Sequence, residues 1–192
     1  MEEKKSNKRK VNYATTAVIL IVVAILAVAL WLLLSKNEVR TSEEGRKVST
    51  GALYCTAKEP KDPFFVSEKA IEATHKIKVA FKNGEVDKLS YNYQGFYNSE
   101  DEADKDRTTF HASYNTYMSE NGVSPESLTP IFDYSGSKSR IDLFAEQGKS
   151  LNVVTAKLFF LSISEYEDID EYNEEKLEKV YVSKGFSCTF ND

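Results

Sequence analysis

Residues 71–96 read IEATHKIKVAFKNGEVDKLSYNYQGF, and this stretch decides the fold. Ile71, Ala73, His75, Ile77, Val79 and Phe81 alternate with mostly polar neighbours, the period of a strand with one buried face. Asn83-Gly84 then offers the two positive-φ residues that a type I′ turn requires. Beyond it Leu89, Tyr91 and Tyr93 repeat the alternation through Val86–Phe96. Two long strands joined by so tight a turn predict an antiparallel hairpin, and a hairpin this long needs partners on its apolar face.

The segments downstream supply them. Ser99-Glu-Asp-Glu102 has the form of a capping box, and acidic residues from 100 to 106 suit the positive end of a helix dipole. Ala103, Phe110, Tyr114, Tyr117 and Met118 fall at helical spacing, and Asn121-Gly122 ends the helix. That stripe reads as a packing face before it reads as a ligand groove. Further strands are expected near Ile131–Tyr134, Arg140–Ala145 and Val153–Ile163, the last central because Leu158–Leu161 is apolar on both faces. A second helix near Asn173–Ser183 ends at Gly185, before an extended tail through Cys188. The expected fold is α+β: an antiparallel sheet with one or two helices packed on a face.

Upstream, residues 14–34 form an uncharged apolar run, ATTAVILIVVAILAVALWLLL, of 21 residues. As a helix it spans about 31 Å, close to a hydrocarbon core. It exceeds the apolar region of a signal peptide, and Trp31-Leu-Leu-Leu-Ser35 lacks a small-x-small cleavage pattern. We expect an uncleaved transmembrane helix behind a basic tail of residues 1–13. Lys8, Arg9 and Lys10 cluster before the run, against the more dispersed Lys36, Arg40, Arg46 and Lys47 after it. That asymmetry places the N-terminus in the cytoplasm and the rest outside. Residues 35–50 read as a linker and 51–192 as the extracytoplasmic domain.

Past residue 40 the chain carries 27 acidic and 18 basic side chains, a difference of −9. Nucleic-acid binding needs the opposite balance. The two cysteines, Cys55 and Cys188, bracket the domain without C-x-x-C spacing. Outside the membrane such a pair points to a disulfide, contributing roughly 4–5 kcal/mol by loop-closure entropy; two buried free thiols are the alternative.

Catalytic and metal signatures are sparse. His75 and His111 lie on different elements and are too few for a zinc site. Asp168 and Asp170 match the first and third positions of an EF-hand loop, but Asn173 stands at the sixth and Lys179 at the twelfth. No Gly-x-Ser-x-Gly elbow or phosphate loop occurs. A sortase-like thiol transpeptidase needs its cysteine in Thr-Leu-x-Thr-Cys, whereas here the context is Gly185-Phe-Ser-Cys188 with no arginine after it. A hydrolase working through paired carboxylates stays open, although nothing singles out a pair. No cofactor is implied.

Leu53-Tyr-Cys55-Thr56 at the start, Lys82-Asn-Gly-Glu-Val-Asp-Lys88 at the turn, an acidic helix, and Lys184-Gly-Phe-Ser-Cys188 at the end form a recognisable order. This order resembles small bacterial extracytoplasmic proteins related to the YehR-like lipoproteins. The resemblance implies an anchored, envelope-facing α+β domain with a cysteine at each end, and it supplies no catalytic residues. The chain departs from those lipoproteins in replacing a lipidated cysteine by an apolar helix, and in a polar stretch, Glu59–Ser67. The function expected is that of a non-enzymatic domain binding an envelope protein, peptide or polymer. Tyr91, Tyr93 and Tyr97 are its candidate contact surface. An anchored enzyme, sortase-like or hydrolase-like, is the alternative, and a pilin-like subunit lacks its cleavable junction here.

Overall fold

The structure, a computed structural model, describes residues 50–191. The expected tail and transmembrane helix, and the linker up to residue 49, lie outside the described residues. Among those described, no helix is long and apolar enough to cross a membrane.

The hairpin forms as its sequence requires. Strand β1 (Gly51–Ala57) leads to β2 (Glu72–Lys82) and β3 (Glu85–Phe96), with Asn83 at φ 55° and Gly84 at φ 81° in the turn. The register slips by one residue where Ala80 faces Lys88 but Phe81 faces Val86, leaving Asp87 as a bulge. The bulge explains why Val86 and Leu89, three apart, both reach the core. Helix α1 (Glu100–Glu120), β4 (Ile131–Ser135) and β5 (Lys138–Glu146) follow. Short helices α2 (Val153–Ala156) and α3 (Ile163–Glu167), then α4 (Glu174–Ser183), precede the last strand, β6 (Ser187–Asn191). The sheet has six strands in the order β4-β5-β3-β2-β1-β6, every neighbouring pair antiparallel.

One face of the sheet is covered and the other is open. Leu53, Ile77, Val79, Tyr91, Ile141 and Leu143 point into the core, where the α1 stripe of Ala103, Phe110, Tyr114 and Met118 meets them. Burial of so many large side chains, each stabilising by about 1.5–3 kcal/mol, is what holds the layers together. Ser99 caps α1 by accepting from the Glu102 amide, but the reciprocal half of the expected box is missing and Glu102 Oε2 has no partner among the described residues.

The strand expected at Val153–Ile163 is instead helical. Asn152 and Thr155 form a reciprocal capping box that starts α2, and a 3-10 turn follows over Lys157–Phe159. Phe160 at φ 63° then reverses the chain. Leu158, Phe159, Phe160 and Leu161 are all buried. They are apolar in every direction because the segment sits between the sheet and α4, where Tyr181 donates to the Phe159 carbonyl at 3.2 Å.

The two ends of the described domain meet across β1 and β6. Cys55 and Cys188 are register partners, joined by a disulfide that closes a separation of 133 residues.

Candidate functional site

With both cysteine sulfurs in the disulfide, Cys188 offers no thiolate, so the thiol version of an enzyme has no nucleophile here.

The tyrosines expected at a contact surface are not at the surface. Tyr91 and Tyr93 share the phase of Leu89 and face the core, while Ser90, Asn92 and Gln94 take the open side. Tyr97, just past the strand, turns inward, where Ser139 donates to its hydroxyl at 3.1 Å and Tyr93 lies 3.3 Å away. All three are buried, which removes them as a contact surface. Strand parity decided this, since two residues of one phase cannot face opposite sides.

What the open face does expose is the register row Tyr54–Lys78–Ser90–Phe144. Lys78 lies 5.2 Å from the Tyr54 ring centre. These apolar residues are scattered, as surface apolar residues usually are.

A concave site lies on the covered side, under residues 58–71. This connection is irregular yet tied at several points. The Lys61 amide donates to the Lys184 carbonyl at 2.9 Å, and its ammonium to the Ser183 carbonyl at 2.8 Å. Phe65 inserts into the core, stacking 5.9 Å from Tyr91 and meeting Phe110 edge-on at 5.5 Å. Phe64 packs on Tyr117 at 5.0 Å. Ser67 donates to the Asp106 carboxylate on α1, and the Ile71 amide donates to the Phe96 carbonyl at 2.7 Å. Anchored this way, the connection arches over the start of β2 and leaves a cavity of about 570 Å³ that is open to solvent on one side. That volume is within the range of small-molecule sites.

The wall is mixed. Pro63, Phe65, Val66 and Ile71 supply apolar surface, and Val66 and Ile71 remain 63% and 66% exposed. Lys58, Glu59 and Glu72 carry the wall's charge, with Lys58 paired to Glu72 at 2.6 Å. His75 and Tyr93 also line the cavity.

His75 is the unusual group. It is 3% exposed, in the apolar phase of β2, with its Nδ1 2.9 Å from the Tyr91 hydroxyl. The Tyr93 and Phe160 rings meet it edge-on at 5.1 and 6.0 Å. Burial pushes its pKa down to about 4, so the imidazole is neutral at pH 7. Burial likewise raises the Tyr91 and Tyr93 hydroxyls, which stay protonated. Gly95 leaves room for the two tyrosine hydroxyls: a Cβ there would stand 2.6 and 2.7 Å from the Tyr97 and Tyr93 hydroxyl oxygens.

The alternation along β2 already put His75 on the covered face, and nothing local marked it as part of a cavity wall. The signal for a cavity was the polar stretch Glu59–Ser67, whose Phe64-Phe65 pair marks an inward anchor. The acidic stretch of residues 165–175, which holds the EF-hand-like Asp168 and Asp170, is spread over α3, the 3-10 turn Ile169–Glu171 and the start of α4. Its first member, Glu165, pairs with Lys184 at 2.7 Å. Among the described residues, no group of three or more His, Cys, Asp or Glu side chains could hold a metal ion.

No family model matches the chain, and no curated protein matches it. Among solved structures, it is similar to the solution structure of YehR from Escherichia coli. The identity is 10% and the TM-score 0.48, over 73% of this chain and 91% of that one. It is also similar to the solution structure of a protein from Streptococcus pneumoniae TIGR4, with 9% identity and a TM-score of 0.38 over 78% and 89% of the two chains. No residue role is transferred from either structure.

Proposed function

We propose that the chain is a single-pass membrane protein whose domain acts outside the membrane as a non-enzymatic binding module, with the cavity under residues 58–71 as its binding site. The observation that carries this reading is the Cys55–Cys188 bond. Disulfides persist in oxidising compartments and are rare in the cytosol. The apolar run of residues 14–34 and the basic cluster before it agree with that location. A cavity tied open by an anchored connection, with a neutral buried imidazole in its wall and no thiolate beside it, suits recognition better than turnover.

The location is tested by introducing one thiol on the open face, Lys76→Cys, where the side chain is exposed. A membrane-impermeant maleimide applied to intact cells (to spheroplasts, where an outer membrane is present) is expected to label this variant and leave the parent protein unlabelled. Labelling of the variant only after lysis would place the domain in the cytoplasm and contradict the reading.

A further inference from the structure

We infer that the ligand of this cavity is a small uncharged molecule presenting a carbonyl oxygen on an apolar body, received by the Nε2–H of His75. The inference rests on the cavity being the binding site.

The 2.9 Å contact between His75 Nδ1 and the Tyr91 hydroxyl can be protonated in two ways. If Nδ1–H donated, the Tyr91 hydroxyl hydrogen would need a second acceptor. Among the described residues that oxygen has no hydrogen-bond partner except Nδ1, and Tyr91 is buried. An orphaned hydroxyl hydrogen there costs about 1–3 kcal/mol. If Tyr91 donates instead, Nδ1 accepts and the imidazole proton sits on Nε2. The second arrangement satisfies both groups of the contact and leaves one donor over.

That donor faces the cavity. His75 lines it, and Nε2 has no hydrogen-bond partner among the described residues, yet it is not among the side-chain atoms that are both unpartnered and sealed from space. A side chain buried to this extent, with a free N–H opening into a cavity, is built to meet an acceptor.

The remaining wall selects the acceptor's chemistry. The charged residues lining the cavity are Lys58, Glu59 and Glu72, together one negative charge, and the single cation is already bound to Glu72. A carboxylate would enter with no free cation to meet it, against a neutral imidazole. An ammonium at the imidazole would find a donor where it needs an acceptor, and the remaining carboxylate, Glu59, is exposed to water, where an ion pair contributes little. A neutral carbonyl satisfies Nε2–H, while Pro63, Phe65, Val66 and Ile71 cover the apolar remainder.

Titration calorimetry on the full chain in lipid nanodiscs, with empty nanodiscs as the baseline, tests this with two probes of one shape. N-acetyl-phenylalaninamide is neutral, and N-acetyl-phenylalanine is its carboxylate twin. The amide is expected to bind one-to-one, and the carboxylate about tenfold or more weaker. The double variant His75→Phe/Tyr91→Phe removes the donor together with its partner, so no buried hydroxyl is orphaned. It should keep the near-ultraviolet circular dichroism of the folded domain and weaken the amide by about tenfold. His75→Gln, which keeps an amide donor, should recover part of that loss and reports independently should the double variant fail to fold. Equal amide affinity in the double variant and the parent, or tighter binding of the carboxylate, would overturn the ligand class while leaving the cavity as a site. No heat with either probe would overturn the cavity as a site along with it.

Discussion

The covered face of this sheet is finished in two different ways. Over one part lie Leu151–Leu161 and α4, where Leu151, Leu158, Phe159, Phe160 and Leu161 are all buried. Over another lies the irregular connection 58–71, where Phe65 is buried while Val66 and Ile71 stand exposed beside a cavity. Helical turns satisfy their own backbone, so they can press apolar side chains directly onto a sheet. An irregular connection must find partners for its amides, as Lys61 does at Lys184 and Ile71 at Phe96. It therefore arches, touches down at anchors and leaves space between them. The first solution gives stability, the second a site.

Four perturbations sharpen this contrast. The largest effect is expected where the ends meet. Replacing Cys55 and Cys188 by serine should cost about 5 kcal/mol in urea unfolding, since the bond closes 133 residues of chain. An unchanged midpoint would mean that β6 is held by its packing alone. Next, Phe159→Ala on the finished side should cost about 3–5 kcal/mol, because the ring is buried and leaves a void.

The third effect belongs to His75. Its folded pKa lies near 4, below the ordinary 6.5, so the unfolded chain binds the proton more readily. The folded state therefore keeps its full stability above pH 6.5 and loses it as pH falls from 6.5 towards 4. The loss should be on the order of 2–3 kcal/mol, and His75→Phe/Tyr91→Phe should abolish that limb of the curve. The smallest effect is expected on the cavity side: Val66→Ala should move stability by no more than about 0.5 kcal/mol. A loss as large as that of Phe159→Ala would mean that the arch packs like the helical cover, and the contrast would fail.

The same contrast separates what was legible in the sequence from what was not. The hairpin was legible because alternation, Asn83-Gly84 and strand length all agree locally. Helix α1 and α4 were legible from caps and stripes, and β6 from its cysteine. Val153–Ile163 was misread because an apolar run buried on all sides has no period to report, and the Asn152–Thr155 cap that decides it is only four residues of signal. The tyrosines were misassigned for a different reason. Their aromatic chemistry suggested contact, while the parity of Leu89, Tyr91 and Tyr93 already placed the first two inside. The cavity depends on where Phe64-Phe65 and Ser67 touch down, contacts made across tens of residues that no local pattern encodes.

The proton on His75 is the point on which the site turns. Nitrogen-15 spectra of the histidine-labelled full chain are simple to assign, because it carries only two histidines, which His75→Gln distinguishes. His75 is expected to show one proton, on Nε2, from pH 7 down to about pH 5. A proton on Nδ1 at neutral pH, or a charged ring near pH 6, would contradict it.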